Sequence, residues 1–191
     1  MGIQIEDGLG KGIVTGVTAS NQLLTQSESQ ELQHYESLIN EQAYQVISVD
    51  TGITAATQTI LHVRNDDATR NMVITFMRMQ AITNTASKPV VGEYFEMGLG
   101  RTVSSGGTAA TPVNVNAASG NTASVTATGI DPTMAGTFTA IDRWYNESNN
   151  MIVYNKQGSL ILGLNDTFEI RLVSAGTGEA MARITFVMVA R

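Results

Sequence analysis

Gly8-Leu9-Gly10-Lys11-Gly12 has the glycine spacing of a phosphate-binding loop. Such a loop needs G-x-x-x-x-G-K-[ST] between a strand and a helix; here a glycine stands at the Ser/Thr place and β-branched residues follow, so it reads as a glycine-rich turn. His34 and His62 are far apart and adjoin no serine or carboxylate motif, and there is no G-x-S-x-G elbow to start a nucleophilic triad. The absence of cysteine excludes a disulfide scaffold, a thiol nucleophile and a zinc ribbon. Asn65-Asp66-Asp67 and Asn165-Asp166 have the oxygen ligands that a hard cation takes from loops, but Asn and Asp occupy turns for backbone reasons alone. Glu93 and Glu96 are an odd number of positions apart, so a strand would point them to opposite faces, a poor arrangement for an acid/base pair. Trp144-Tyr145 is an aromatic pair suited to anchoring a partner, stacking on a sugar or packing under a loop. We therefore expect no catalytic, cofactor-binding or metal-binding residues and no enzymatic activity. A chain of this kind binds or assembles.

Charge narrows the partner. Of 191 residues only 15% are charged, against about 25% in an average globular protein. Residues 1–50 hold seven acids (Glu6, Asp7, Glu28, Glu31, Glu36, Glu41 and Asp50) and one base, Lys11. The remaining residues hold ten acids and ten bases, so the first segment carries the whole net charge of −6. No clustered positive face is present for nucleic acid. No apolar run approaches the roughly 20 residues that cross a bilayer. Met1–Glu6 has neither the basic start nor the apolar stretch of a secretory signal, and Glu6 stands where a myristoylation motif wants Ser or Thr. The expectation is a soluble protein made in a cytoplasm, with neither nucleic acid nor membrane as partner.

The positioning elements are mostly strands. Residues 1–25 read as short extended pieces around glycine turns, an arm that needs another sheet to pair with, its own or a neighbour's. Residues 27–41 are the one helix candidate: Ser27 and Gln30 have capping-box spacing, Glu28 and Glu31 suit the first turn, and Leu32, Tyr35 and Leu38-Ile39 form a stripe. From Gln42 onward Val-, Ile-, Thr- and Phe-rich runs alternate with Gly/Asn/Ser turns, the pattern of an antiparallel sandwich or barrel. In the last run Ala182, Ile184, Phe186, Met188 and Ala190 share a face that should be core. Between Arg101 and Asp142 the only charge is Asp131; this stretch is either a flexible low-complexity loop or strands lying against another protein.

The order of motifs resembles a group of small structural proteins of tailed bacteriophages. The resemblance rests on Glu6-Asp7-Gly8-Leu9-Gly10-Lys11-Gly12 followed by a strand and Ser20-Asn21-Gln22-Leu23-Leu24. It continues in Thr111-Pro112-Val113-Asn114-Val115-Asn116 with Ser119-Gly120-Asn121-Thr122, and in Gly158–Leu162 leading to Phe168–Leu172 and a last apolar strand. Asn165-Asp166 replaces the Pro-Gly type of turn at one hairpin. The resemblance implies an all-β protein with a jelly-roll-like antiparallel β-sandwich (residues 42–191), an extended N-terminal arm with one short acidic helix (residues 1–41), and no cofactor.

What it implies functionally is a virion component: a decoration (cement) protein on the outside of the phage head that bridges subunits of the major capsid protein and works as a homo-oligomer, in the first place a trimer. Members of the group sit on head or tail, so a tail- or baseplate-associated structural protein is the alternative. A carbohydrate- or receptor-binding sandwich using Trp144 and Tyr145 is another. Contact with capsid or neighbouring subunit is expected at Ile3, Ile5, Ile13, Val14 and Val17 of the arm, by strand addition, and at Val113 and Val115 of the uncharged stretch.

Overall fold

The computed structural model describes residues 4–5, 13–14, 16–17, 23–24, 32–85, 92–147 and 149–191. The chain forms two compact units, Met1–Glu31 and Leu32–Arg191. In the first, β1 (Gln4–Ile5) pairs antiparallel with β2 (Ile13–Val14), and β3 (Gly16–Val17) pairs with β4 (Leu23–Leu24). Ile3, the Gly8–Gly12 turn and the Ser27–Gln30 cap lie outside the described residues.

The second unit opens with α1 (Leu32–Leu38) and continues in strands: β5 (Ala43–Ile53), β6 (Thr57–Asn65), β7 (Arg70–Thr83), β8 (Tyr94–Leu99), β9 (Thr102–Ser105), β10 (Thr108–Ala109), β11 (Val113–Asn114), β12 (Val125–Gly129), β13 (Thr133–Ala135), β14 (Thr139–Tyr145), β15 (Ile152–Leu162), β16 (Thr167–Val173) and β17 (Gly178–Ala190). All pairings are antiparallel. One sheet has the order β11-β5-β17-β7-β15, the other β10-β12-β6-β16-β8-β14, and β9 pairs with β13. The chain is all-β, as expected.

Period-two alternation makes one core from the two sheets. Tyr44, Val46, Met77, Met79, Ile184 and Phe186 enter it from the five-stranded sheet; Leu61, Val63, Phe95, Met97, Phe168 and Ile170 enter from the six-stranded one. Ala182, Ile184, Phe186 and Met188 of the expected core face are buried, and only Ala190 at the strand end is exposed. The unbranched methionines fill the irregular space between stiffer β-branched neighbours. β15 keeps its pairing with β7 across a register shift between Asn155 and Leu160.

The charge-poor stretch is ordered. Residues 100–138 form an insertion between β8 and β14 in which β11 extends one sheet beside β5, and β10 and β12 extend the other beside β6. Gly106 and Gly107 turn between β9 and β10 with φ of 70° and 72°, backbone that only glycine adopts without strain.

Within the described residues helix α1 ends at Leu38, before Glu41, and turns the other way from its stripe. It packs on β5 and β17, yet Tyr35, Leu38 and Ile39 are exposed and Glu36 is buried. Asparagines decide the orientation. Asn116 Nδ2 donates to Ser37 O at 3.1 Å, Asn114 Nδ2 donates to Glu41 O at 2.8 Å, and Asn40 Nδ2 donates to Glu36 Oε2 at 2.9 Å. The helix end is held by polar groups, and its apolar stripe is left outside.

Close packing gives a direct test. A Cβ at Gly98 would lie 2.4 Å from Phe138 Cζ and 2.7 Å from Thr139 O. Gly98→Ala should cost about 1–3 kcal/mol through this overpacking and lower the thermal midpoint by about 2–4 °C per kcal/mol. Phe186→Ala should cost about 3–5 kcal/mol. Calorimetry on both variants checks the values; an unchanged midpoint for Gly98→Ala would contradict the packing described.

Candidate interaction surface

The two sheets treat their outer faces differently. On β5, Tyr44 and Val46 point into the core, so Gln45, Ile47 and Val49 point out. Register carries that face across the sheet: Ile47 lies opposite Arg183, Arg183 opposite Arg78, and Arg78 opposite Val153. In the next row Val49 lies opposite Met181 and Met181 opposite Gln80. Ile47, Val49, Ile82 and Val153 are each about half exposed, between 48% and 52%. A shallow hollow lined by Val49, Gln80, Ile82 and Met181 sits among them. Four strands thus present an apolar outer face where a half-buried sheet ordinarily carries polar residues.

Val113 and Val115 extend this face. Val113 is opposite Gln45, and Val115 N–H donates to Ala43 O at 2.9 Å, so both side chains fall on the outer side; they are 56% and 37% exposed. Asn114, between them, points the other way and is held by Glu41 O, by Ser119 Oγ at 3.2 Å and by Asn121 O at 3.4 Å. The Thr-Pro-x-Asn-x-Asn and Ser-Gly-Asn runs are therefore one hydrogen-bonded loop that fixes an edge strand with its valines outward. Of the arm residues expected to make contacts, Ile5, Ile13, Val14 and Val17 lie in the short strand pairs, with Ile5 opposite Ile13 and Gln4 opposite Val14.

The outer face of the six-stranded sheet is polar and built around an ion-pair network. Glu96 lies between Arg143 and Arg171 in register. Arg171 Nε donates to Glu96 Oε2 at 2.9 Å and Arg143 Nε to Oε1 at 3.0 Å, with each guanidinium adding an Nη2 contact. Burial by itself raises the Glu96 carboxyl, but the bonds from Arg171 and Arg143 outweigh it and hold the group below its ordinary value. Arg171 stacks over Phe138, 3.6 Å from the ring centroid, and Arg143 over Tyr94 at 4.1 Å.

Beside them, Glu169 Oε1 accepts from Thr59 Oγ1 at 2.6 Å and from Arg101 Nη1 at 3.3 Å. His62, opposite Glu169, places Nε2 3.0 Å from Arg101 O. A carbonyl only accepts, so the proton sits on Nε2 and leaves Nδ1 buried without a partner. Burial, the largest influence, lowers the affinity of this imidazole for a proton below its ordinary value.

The other chemistry-bearing residues are absorbed into turns and core. Asp67 Oδ1 accepts from Thr69 N, Thr69 Oγ1 and Arg70 N; Asp66 bonds Arg64 and Thr126; Asp166 Oδ2 accepts from Gly163 N at 2.8 Å. These oxygens serve Asx turns and ion pairs. Among the described residues no cluster of three His, Asp or Glu side chains gathers to hold a metal. Glu93 accepts from Thr83 Oγ1 and Asn146 Nδ2, remote in role from Glu96. Trp144 packs on the core and against Tyr154, while Tyr145 is exposed on Tyr94.

The apolar outer face was not singled out in the sequence. Its signal is that β5 is apolar on both faces, Ile47 and Val49 outward with Val46 inward, where one wet face would show strict alternation.

Two buried groups, His62 and Glu96, contribute to the acid response alongside Asp66 and Asp67, whose carboxyls are also held below their ordinary value. His62 stays neutral in the fold and takes a proton on unfolding, so its contribution is present above pH 6.5 and lost as pH falls below that value. Glu96 is ionised in the fold at lower pH than in the unfolded chain, so its contribution is lost as pH falls below 4.5. Urea midpoints from pH 8 to 3 should therefore fall in two stages. His62→Gln should flatten the first; Glu96→Gln should flatten the second and cost about 1–3 kcal/mol at neutral pH.

Compared with known protein families, with curated proteins and with solved structures, the chain matches none.

Proposed function

We propose that this protein is a non-enzymatic structural component of a tailed-phage virion, a decoration protein that binds the outside of the head and stabilises the shell by bridging subunits of the major capsid protein. The observation that carries the reading is the outer face of the β11-β5-β17-β7-β15 sheet, on which Val113, Ile47, Val49, Ile82 and Val153 lie exposed. Bridging a shell takes area and complementarity, with a standard-size interface burying on the order of 1,600 Å²; a broad sheet face is suited to that.

The strand order supports a jelly-roll reading. β5 pairs with β17, β6 with β16, β7 with β15 and β8 with β14. First with last and second with second-last, the eight long strands pair like one hairpin rolled into two sheets. Double Greek keys of this kind build viral capsid and lectin domains. Between those two uses, the partial burial of Trp144 against the core and Tyr154 favours the capsid reading, with Tyr145 left exposed beside it.

The test is co-sedimentation of the purified protein with mature heads lacking it, read as copies bound per head. Saturation at many copies, in a ratio matching symmetry sites of the shell, is expected; failure to pellet would overturn head attachment and favour a tail location. Removing residues 1–25 should abolish head binding while the thermal transition of the sheets persists. Undiminished binding by the shortened chain would remove the arm from the mechanism.

A further inference from the structure

Arg78 and Arg183 are direct cross-strand neighbours at the centre of the apolar outer face. Both lie near the Phe76 ring, their guanidinium carbons 5.3 and 6.0 Å from its centroid. Each is half-buried, and the Nε of each is buried without a hydrogen-bond partner. Neither forms an ion pair with any described residue. By contrast Arg64, Arg70, Arg101, Arg143 and Arg171 each meet a carboxylate. Glu179, four residues from Arg183 along the same face of β17, bonds neither. Like charges directly opposite in a sheet repel, and burying part of a cation without a partner costs more. The row Ile47–Arg183–Arg78–Val153 is thus an apolar strip with two unneutralised cations at its centre.

The complementary charge is on the same chain. All of the net negative charge lies in residues 1–50. Of its acids, Glu36 is buried against Asn40, and Asp50 is buried with Oδ1 accepting from Gly52 N. Glu6, Asp7, Glu28 and Glu31 belong to the N-terminal unit, which also carries Ile3, Ile5, Ile13, Val14 and Val17. An apolar and acidic segment matches an apolar and basic face in both respects. We propose that the outer face of the five-stranded sheet is the docking site for the acidic N-terminal segment of a second copy of this chain, its carboxylates neutralising Arg78 and Arg183. This rests on the decoration-protein reading proposed above, for which the resemblance implies a homo-oligomer, and names the surfaces that would join it.

Equilibrium sedimentation of the full chain over a concentration series tests it. The native protein should self-associate, and more weakly as NaCl rises from about 0.05 to 0.5 M. R78Q/R183Q should raise the dissociation constant at least about tenfold, with a thermal midpoint for the single chain unchanged or higher, because two facing like charges are gone. R78E/R183E should dissociate the assembly, and adding Glu6→Lys, Asp7→Lys, Glu28→Lys and Glu31→Lys to the same chain should restore it. A native mass of one chain at every concentration, undiminished association of R78Q/R183Q, or no recovery on exchanging the charges would each overturn the proposal. Heads take no part in this measurement. An assembling protein that ignores heads therefore fails the functional reading alone, and a monomer that coats heads fails this proposal alone.

Discussion

The ladder that β17 makes with β5 on one side and β7 on the other holds the second unit together. Tyr44 and Phe186 face each other across the first of these ladders and stack with centroids 5.6 Å apart. Their contact joins the beginning and the end of the unit. Without it β5 loses its principal partner, β11 has nothing to extend, and the helix pinned to that edge by Asn114 and Asn116 has no support. The long insertion is less demanding. It leaves from β8 and returns to β14, and those strands pair from Leu99↔Thr139 to Tyr94↔Tyr145, so its two ends are neighbours whatever lies between.

Charge burial is handled in opposite ways on the two outer faces. On the six-stranded sheet, Glu96 and Glu169 leave water but meet arginines and hydroxyls, and aromatic rings cover the guanidinium planes. A buried carboxylate is tolerable on those terms because its desolvation is offset by several directed bonds. On the five-stranded sheet the cations have no such partners and the surrounding side chains are apolar. The first face leaves single atoms unpartnered, His62 Nδ1 and Glu169 Oε2, beside carboxylates that meet arginines; on the second face the unpartnered Nε atoms belong to two cations that meet no carboxylate of a described residue.

Much of the architecture was legible because alternation is a local signal. The run Ala182–Met188 shows its core face residue by residue, and Phe168–Leu172 falls within β16. What was not legible depended on contacts distant in sequence. Asn114 and Asn116 look like turn residues, and only the fold brings them to Ser37 and Glu41, where they rotate α1 against its apolar stripe. The run of small uncharged residues from 101 to 142 has no strong periodicity, so β9, β10 and β13 were invisible; β10 is added to β12, and β9 and β13 pair with each other. Arg78 and Arg183 are 105 positions apart, a separation that local pattern does not bridge. Val113 and Val115 were readable from alternation with asparagine, but the face they join was not.

Pairing first with last also constrains synthesis. Ala43 waits for Val187, its partner in the ladder. At about 5–20 residues per second on the ribosome, β5 is made several seconds before β17 exists. During that interval an extended strand, apolar on both sides, has its hydrogen-bonding edge open. Chains dominated by such non-local pairings fold slowly, and an open apolar edge invites pairing with another nascent copy.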